Sequence, residues 1–539
     1  VRDNVVVTPL QVGAPTPAAP ASAAAAPYGP AVAARFAEPS TQYSTPGLAP
    51  ERRGFTTNSE LGQWLHNIAN AAPRGPTQAS VLQLGASQQG EPILGLLLTR
   101  AKGMDMASLE ANGRSTVVLI GQQHGDEPAG SEALLVVARE LAQGLLEPLL
   151  DRINVVVIPR ANPDGATNGN RTTANGVDMN RDHLLLNTPE ARALARVVRD
   201  YRPILVLDAH EFTVAGRYLQ KFNAIQRYDA LLQYTTTANY HEFLTKASQE
   251  WYHQPMLGAL QSQGMSSEWY YTTSTQPDDK RISMGGVQPD TGRNVNGLKN
   301  AVSLLVETRG VGLGRLHIQR RVHTQVTTIT SALRSTAERA ADLEQVRSYV
   351  ARDTASKACK GQVVIEAQAT PMQRELTMLD PDTGADRTLK VDWNSSLALR
   401  PVKSRPRPCG YWLAAHATAA VERLQMLGVQ VLRIAEPGAL LADTYHETAR
   451  ETTERTDVRG TIAGGSSIIR TQVTPVRSAI DVPAGSFYVP LNQGLAHLAV
   501  AALEPDTQSS YFANRLIDEL GSTARVMTVP SLVFEESDE

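Results

Sequence analysis

Four short apolar runs constrain this chain most: Thr116–Ile120 (TVVLI), Ile153–Ile158 (INVVVI), Ile204–Leu207 (ILVL) and Ser303–Val306 (SLLV). They read as near-continuous apolar stretches, so each expects cover on both faces, as a central strand of a parallel sheet has. Ile93–Thr99 (ILGLLLT) adds another strand. Helical apolar spacing fills Pro128–Leu145 and Pro189–Tyr201, and Ser59–Leu65 opens a capped amphipathic helix. The expectation is an α/β domain with helices on both faces of the sheet. In such folds ligands bind at the carboxyl ends of the strands, and that is where the polar motifs of this chain fall.

Length and charge narrow the rest. The 539 residues exceed what one core holds. A net charge of −3 leaves no electrostatic footprint for nucleic acid, and no apolar stretch reaches the roughly 18 residues of a membrane span. Residues 1–52 form an Ala/Pro-rich lead, read as an extended or flexible tail. The chain starts at Val1, without the basic and apolar regions of a leader. An exported protein (periplasmic or secreted) whose signal peptide is gone and a trimmed cytoplasmic chain both fit. Residues 53–355 read as the catalytic domain, closed by a long helix from Arg315 to Asp353. Residues 356–539 read as a β-rich accessory domain with alternating segments and a Pro381–Gly384 turn. The two cysteines, Cys359 and Cys409, either pair or remain free thiols; their number excludes a cysteine-rich metal site.

Four polar clusters carry the chemistry. His124-Gly125-Asp126-Glu127 follows the first run, and its His and Glu, three apart, can face one ion or simply make a turn. Asp208-Ala209-His210-Glu211 ends the third run and supplies a further imidazole. Three protein ligands leave one tetrahedral position open, the catalytic rather than structural zinc pattern. Glu307-Thr308-Arg309-Gly310 follows the fourth run. A desolvated Glu307 has a raised pKa and accepts a proton near neutral pH, unless Arg309 pairs with it. Between these lie Asn162-Pro163-Asp164-Gly165, Arg171 and Gly176–Arg181. Their guanidinium forks match a carboxylate or a developing oxyanion.

In that order, H-G-D-E, N-P-D-G, R-x-x-x-x-G-V-D-x-N-R, D-x-H and E-T-R-G resemble the zinc carboxypeptidase family of funnelin-type metallocarboxypeptidases over roughly Glu51–Gly314. The resemblance implies an α/β/α sandwich with a mixed eight-stranded sheet, here followed by the β-rich C-terminal domain of a bacterial member. It implies one Zn2+ ion held by His124, Glu127 and His210. Glu307 is implied as general base and then proton donor, and Arg171 as oxyanion donor. Asn180 and Arg181 would hold the terminal carboxylate of a peptide, making the enzyme an exopeptidase that uses metal-activated water.

The family also has a mobile tyrosine upstream of the catalytic Glu. Tyr270 and Tyr271 fall in that region, and no motif selects between them. The residue after the third ligand is often Ser; here Glu211 would repel acidic groups or support a ligand. Specificity residues some fifteen positions before the catalytic Glu point to Asp290–Asn294. Arg293 is expected to line the pocket and favour an acidic terminal residue, or else to be tied to Asp290. Two other functions fit parts of the pattern: a zinc N-acyl-amino-acid deacylase related to aspartoacylase and succinylglutamate desuccinylase, and a catalytically silent peptide-binding module. The oligomeric state is open.

Overall fold

The computed structural model describes residues 26–71 and 75–536. Its main sheet comprises β1 (Gln78–Ala86), β2 (Pro92–Thr99), β3 (Ser115–Gly121), β4 (Ile153–Ile158), β5 (Leu205–Thr213), β6 (Ala230–Tyr234), β7 (Ser267–Trp269) and β8 (Val302–Val311). Their spatial order is β1-β2-β4-β3-β5-β8-β6-β7. Strands β4, β3, β5 and β8 run parallel; β1, β2 and β6 join antiparallel neighbours, so the eight-stranded sheet is mixed. The apolar runs β3 and β4 are buried at every position, which is why they could be read from the sequence alone.

Strands β5 and β8 continue past their apolar runs. Asp208, His210 and Glu307 stay in the ladder, because each polar side chain has buried partners or faces the pocket. Helices α1 (Asn58–Asn70), α2 (Ala129–Gln143), α3 (Pro189–Tyr201) and α4 (Ile318–Ser356) flank the sheet. A capping box closes the start of α1: Thr57 accepts from the Glu60 amide while Glu60 accepts from the Thr57 amide.

Residues 26–52 correct the expectation of an extended tail. Short helical turns at Pro30–Ala33 and Pro46–Leu48 seat Tyr28, Val32, Phe36 and Leu48 in the interior. The Arg309 guanidinium stacks 3.6 Å over the Phe36 ring, and Arg35 donates to the Gly384 carbonyl at 2.7 Å. Averaged composition hid these widely spaced apolar anchors. The remainder of the lead, residues 1–25, lies outside the described residues.

The C-terminal region is rich in strands and interlocked with what precedes it. A long hairpin, β9 (Gln362–Leu379) and β10 (Asp386–Pro406), extends the strand pair Thr272–Thr273 and Ile282–Ser283 into one four-stranded sheet. A six-stranded sheet holds Gly410–Leu413 between Phe487–Pro490 and Thr523–Val526. One buried apolar cluster contains Leu184–Leu186, Ala191 and Val295 together with Tyr411, Leu424, Val489 and Phe512. The two regions therefore bury a common core. Cys359 and Cys409 are joined as a disulfide, tying the end of α4 to the first strand of the six-stranded sheet.

Candidate metal centre and substrate pocket

The turn after β3 brings His124 and Glu127 to the carboxyl ends of the parallel strands. Gly125 at this turn admits no side chain: a Cβ there would collide with the backbone of Gly165 and Asn170. Asn162 holds the other side of that contact. Its Oδ1 accepts from the Gly165 amide at 2.9 Å, and its Nδ2 donates to the Gln123 and Thr172 carbonyls at 3.1 Å each. Asn162 is thus a loop brace rather than a substrate donor.

His210 sits opposite Glu307 in the parallel register of β5 and β8. Neighbours in register point to the same face, so the imidazole and the carboxyl share one side of the sheet. His124, Glu127 and His210 are buried, and one ligand atom from each lies within 4.8 Å of the other two. His124 Nδ1 is 2.8 Å from Glu127 Oε2, and His210 Nδ1 is 3.0 Å from Glu127 Oε1.

The far side of each ring decides what these contacts mean. His124 Nε2 lies 2.8 Å from Asp178 Oδ1, and His210 Nε2 lies 2.8 Å from Asp208 Oδ2. An imidazole that donates Nε2–H to a carboxylate turns the lone pair of Nδ1 inward. With Nε2 so engaged, the two Nδ1 atoms and the Glu127 carboxylate are placed to hold one cation between them. The donor set of two nitrogens and a carboxylate suits Zn2+. Burial opposes ionisation of Glu127, but His124 and His210 overcome it and hold the carboxyl below its ordinary range. Asp178 and Asp208 were not assigned this orienting role from the sequence; the D-x-N-R and D-x-H spacings carried the signal. Gln123, also missed, donates to Asp208 Oδ2 at 2.7 Å and lies 2.7 Å from His183 Nε2. His183 therefore packs behind the centre.

Glu307 is 8 % exposed and lines the pocket. Burial raises its carboxyl to about 7, with His210 pulling it down and Glu127 pushing it up. Arg309 does not pair with it. That guanidinium donates to the Gln226 and Tyr228 carbonyls at 2.5 and 3.3 Å and stacks on Phe36.

Arg171 donates to Asp178 Oδ2 through Nε at 3.1 Å, and its second amino group lies 3.0 Å from the same oxygen. A further amino group stands 3.8 Å from Glu127 Oε2. Asn180 accepts from the Gly292 amide at 2.9 Å, and its Nδ2 lies 3.5 Å from His210 Nε2. Arg181 donates from Nε to Asp457 at 2.9 Å, a carboxylate of the C-terminal region. All three line the same pocket as His124 and Glu307.

The two tyrosines differ in the partners of their hydroxyls. Tyr270 lines the pocket, with burial raising its hydroxyl to about 12. Tyr271 is 1 % exposed, and its hydroxyl is taken by Gln226 within the core that holds Tyr218 and Trp393. Tyr271 also borders the pocket, but its hydroxyl is engaged by Gln226, whereas no protein partner takes up the Tyr270 hydroxyl among the described residues.

Arg293 lines the pocket at 4 % exposure. It donates to Gly286 O at 3.0 Å and Thr236 Oγ1 at 3.2 Å, and makes no ion pair among the described residues. Asp290 instead pairs with Arg455 at 3.3 Å, so the tie between Arg293 and Asp290 is absent. Burial lowers the Arg293 guanidinium to about 10, which marks an uncompensated buried cation.

Glu211 does not act on the metal set through its side chain, contrary to expectation. It points to the opposite face of β5 and pairs with Arg321 through two contacts of 2.9 and 3.1 Å. It also accepts from the Ala129 amide at 2.9 Å. Gly310 is glycine because a Cβ there would overlap the Glu211 carboxylate. His317 and His323, on or beside α4, have aromatic or polar partners in Phe36, Tyr43 and Gln263.

The family described as zinc carboxypeptidase matches residues 62–281. The chain contains a zinc carboxypeptidase domain. Carboxypeptidase 2 of Trichophyton equinum is 26 % identical over 482 residues, covering 88 % of this chain and 87 % of the relative. Carboxypeptidase 2 of Trichophyton rubrum is 27 % identical over 399 residues, 73 % of this chain and 72 % of the relative. Carboxypeptidase D of Mus musculus is 29 % identical over 228 residues, but that covers only 35 % of this chain and 16 % of its own. The likeness to the Trichophyton equinum protein is long enough to run well into the β-rich C-terminal region. As expected from the sequence motifs, this carboxypeptidase domain is an α/β fold with a mixed eight-stranded sheet.

Proposed function

We propose that this metallocarboxypeptidase removes single residues from the C-termini of peptides, using one zinc ion held by His124, Glu127 and His210. The observation that carries the reading is the inward turn of both Nδ1 atoms toward Glu127, with Asp178 and Asp208 behind the rings. Zinc, when bound, polarises a carbonyl and lowers the pKa of water. Glu307 takes the proton of the attacking water and passes it to the departing amine, a role its raised pKa suits. Arg171, beside Glu127, stabilises the oxyanion. Asn180 and Arg181 grip the terminal carboxylate, and Tyr270 closes the pocket over it. The deacylase and binding-module readings lose ground: the relatives are carboxypeptidases, and a binding module needs no proton shuttle. The disulfide supports folding in an oxidising compartment, hence export. No described helix is long and apolar enough to cross a membrane.

The test is digestion of a mixed peptide set read by mass spectrometry, with metal analysis. Ladders losing one C-terminal residue at a time, stopped by chelator and restored by Zn2+, are expected. Internal cuts, or undiminished cleavage by metal-free protein, would sink the reading.

Arg293 gives the terminal preference. An unpaired buried guanidinium gains most from a carboxylate, so peptides ending in Glu or Asp are the preferred class. For Arg293→Ala, the ratio of kcat/KM for Glu-ending over Phe-ending peptides should drop by roughly 10- to 100-fold, the weight of a charge-assisted hydrogen bond. An unchanged ratio rejects the assignment.

A further inference from the structure

The pocket has a wall that does not come from the carboxypeptidase domain. A small hairpin of the C-terminal region, Thr456–Asp457 paired with Gly460–Thr461, leans on the loop carrying Asp178, Asn180 and Arg181. Asp457 does two things at once. Its Oδ1 accepts from the Arg459 and Gly460 amides at 2.8 and 3.2 Å, closing the turn, while Oδ2 accepts from Arg181. Arg455 donates to the Arg181 carbonyl at 2.7 Å, and the Ala463 carbonyl accepts from the Asp178 amide at 3.3 Å. On the opposite side the Arg459 carbonyl accepts from the Thr275 amide at 2.9 Å. The hairpin is thereby docked from both flanks, and its tip lines the pocket through Val458 and Arg459.

Besides Arg293, the cations of this pocket fall into two groups. Arg171 and Arg181 are neutralised by Asp178 and Asp457. Arg217 and Arg459 have no carboxylate partner among the described residues, yet both line the pocket. Arg217 donates only to the Thr273 carbonyl, at 2.7 Å. The Arg459 side chain makes no hydrogen bond there, its backbone alone holding the turn. Burial lowers the Arg217 guanidinium, and Arg459 and then Arg171 lower it further. Two like charges lining one cavity, neither in direct contact with a carboxylate, are what an anionic ligand group would resolve. Arg459 is half-buried, whereas Arg293 is buried. The unpaired pair thus lies nearer the mouth, where the substrate chain upstream of the scissile bond must pass.

We propose that Arg217 and Arg459 form a second anion subsite, which selects peptides with an acidic side chain on the residue preceding the scissile bond. The proposal rests on the carboxypeptidase reading and adds the substrate's next residue to it. The C-terminal hairpin is then part of the specificity apparatus, with Arg459 as a specificity residue that the carboxypeptidase motifs do not include.

The experiment compares peptides that share one terminal residue and carry either Glu or Gln just before it. For the unaltered protein a kcat/KM ratio of roughly five to ten in favour of Glu is expected, shrinking as salt is raised. Arg459→Ala should bring that ratio close to one, and Arg459→Glu should invert it. Arg293→Ala should leave the ratio in place while changing the choice of terminal residue. A ratio near one in the unaltered protein, or a ratio that survives both Arg459 substitutions, overturns the subsite. Release of the terminal residue from the Gln peptide tests the underlying activity separately, because that peptide does not need the subsite.

Discussion

Glu307→Gln is expected to lower kcat by roughly 10²- to 10⁴-fold, the usual weight of a positioned general acid–base. Gln has the same shape and keeps the hydrogen-bonding volume of the side chain, but it cannot take a proton. The substitution touches neither His124, Glu127 nor His210, so metal content should remain at one ion per chain. KM should move far less than kcat, since the proton transfer belongs to the transition state. A loss smaller than tenfold, with metal still bound, would remove Glu307 from this role.

The same residue sets the acid side of the pH profile. Burial raises its carboxyl to about 7. A divalent cation beside it favours the ionised form and moves that value down. A base works only when ionised, so kcat/KM should fall as pH drops through this pKa. The acid limb therefore lies at or below about 7, and a limb well above 7 would point to another group.

Glu211→Ala should destabilise the fold by about 3–5 kcal/mol, the cost of leaving a buried charge without its partner. The Glu211 and Arg321 side chains are 0 % and 2 % exposed. Removing Glu211 strands the Arg321 guanidinium between β5, α2 and α4, and also frees the Ala129 amide at the start of α2. Urea or thermal unfolding measures the loss. Adding Arg321→Met should recover part of it, because no buried charge is then left without a partner, while the space vacated by the Glu211 side chain keeps a cavity cost. A loss below about 1 kcal/mol in the single variant, or a double variant worse than the sum of its parts, would contradict this account.

Much of the catalytic domain was readable because its signals are local. The run INVVVI is buried along its whole length whatever surrounds it, and α3 begins and ends at Pro189 and Tyr201, as its apolar period predicts. Strands β1, β6 and β7 were not foreseen. They lie toward the sheet edges, where partial burial or short length leaves no clear period. The N-terminal anchors failed for a related reason: Val32 and Phe36 are single apolar residues in an Ala/Pro background, and only their distant partners make them core.

The candidate site divides along the same line. By itself the sequence determined which chemistry was present: two imidazoles and a carboxylate in ligand order, a late Glu after an apolar strand, and arginines between them. Side-chain identity is covalent and survives any fold. Tertiary structure alone decided who faces whom. The β5–β8 register set Glu307 beside His210 and sent Glu211 to Arg321. Gln226 took up the Tyr271 hydroxyl and left that of Tyr270 to the pocket, and Arg455 took Asp290 away from Arg293. The hairpin at Asp457 reached Arg181 across 276 positions of chain. These are choices among partners far apart in sequence, and local periodicity carries no information about them.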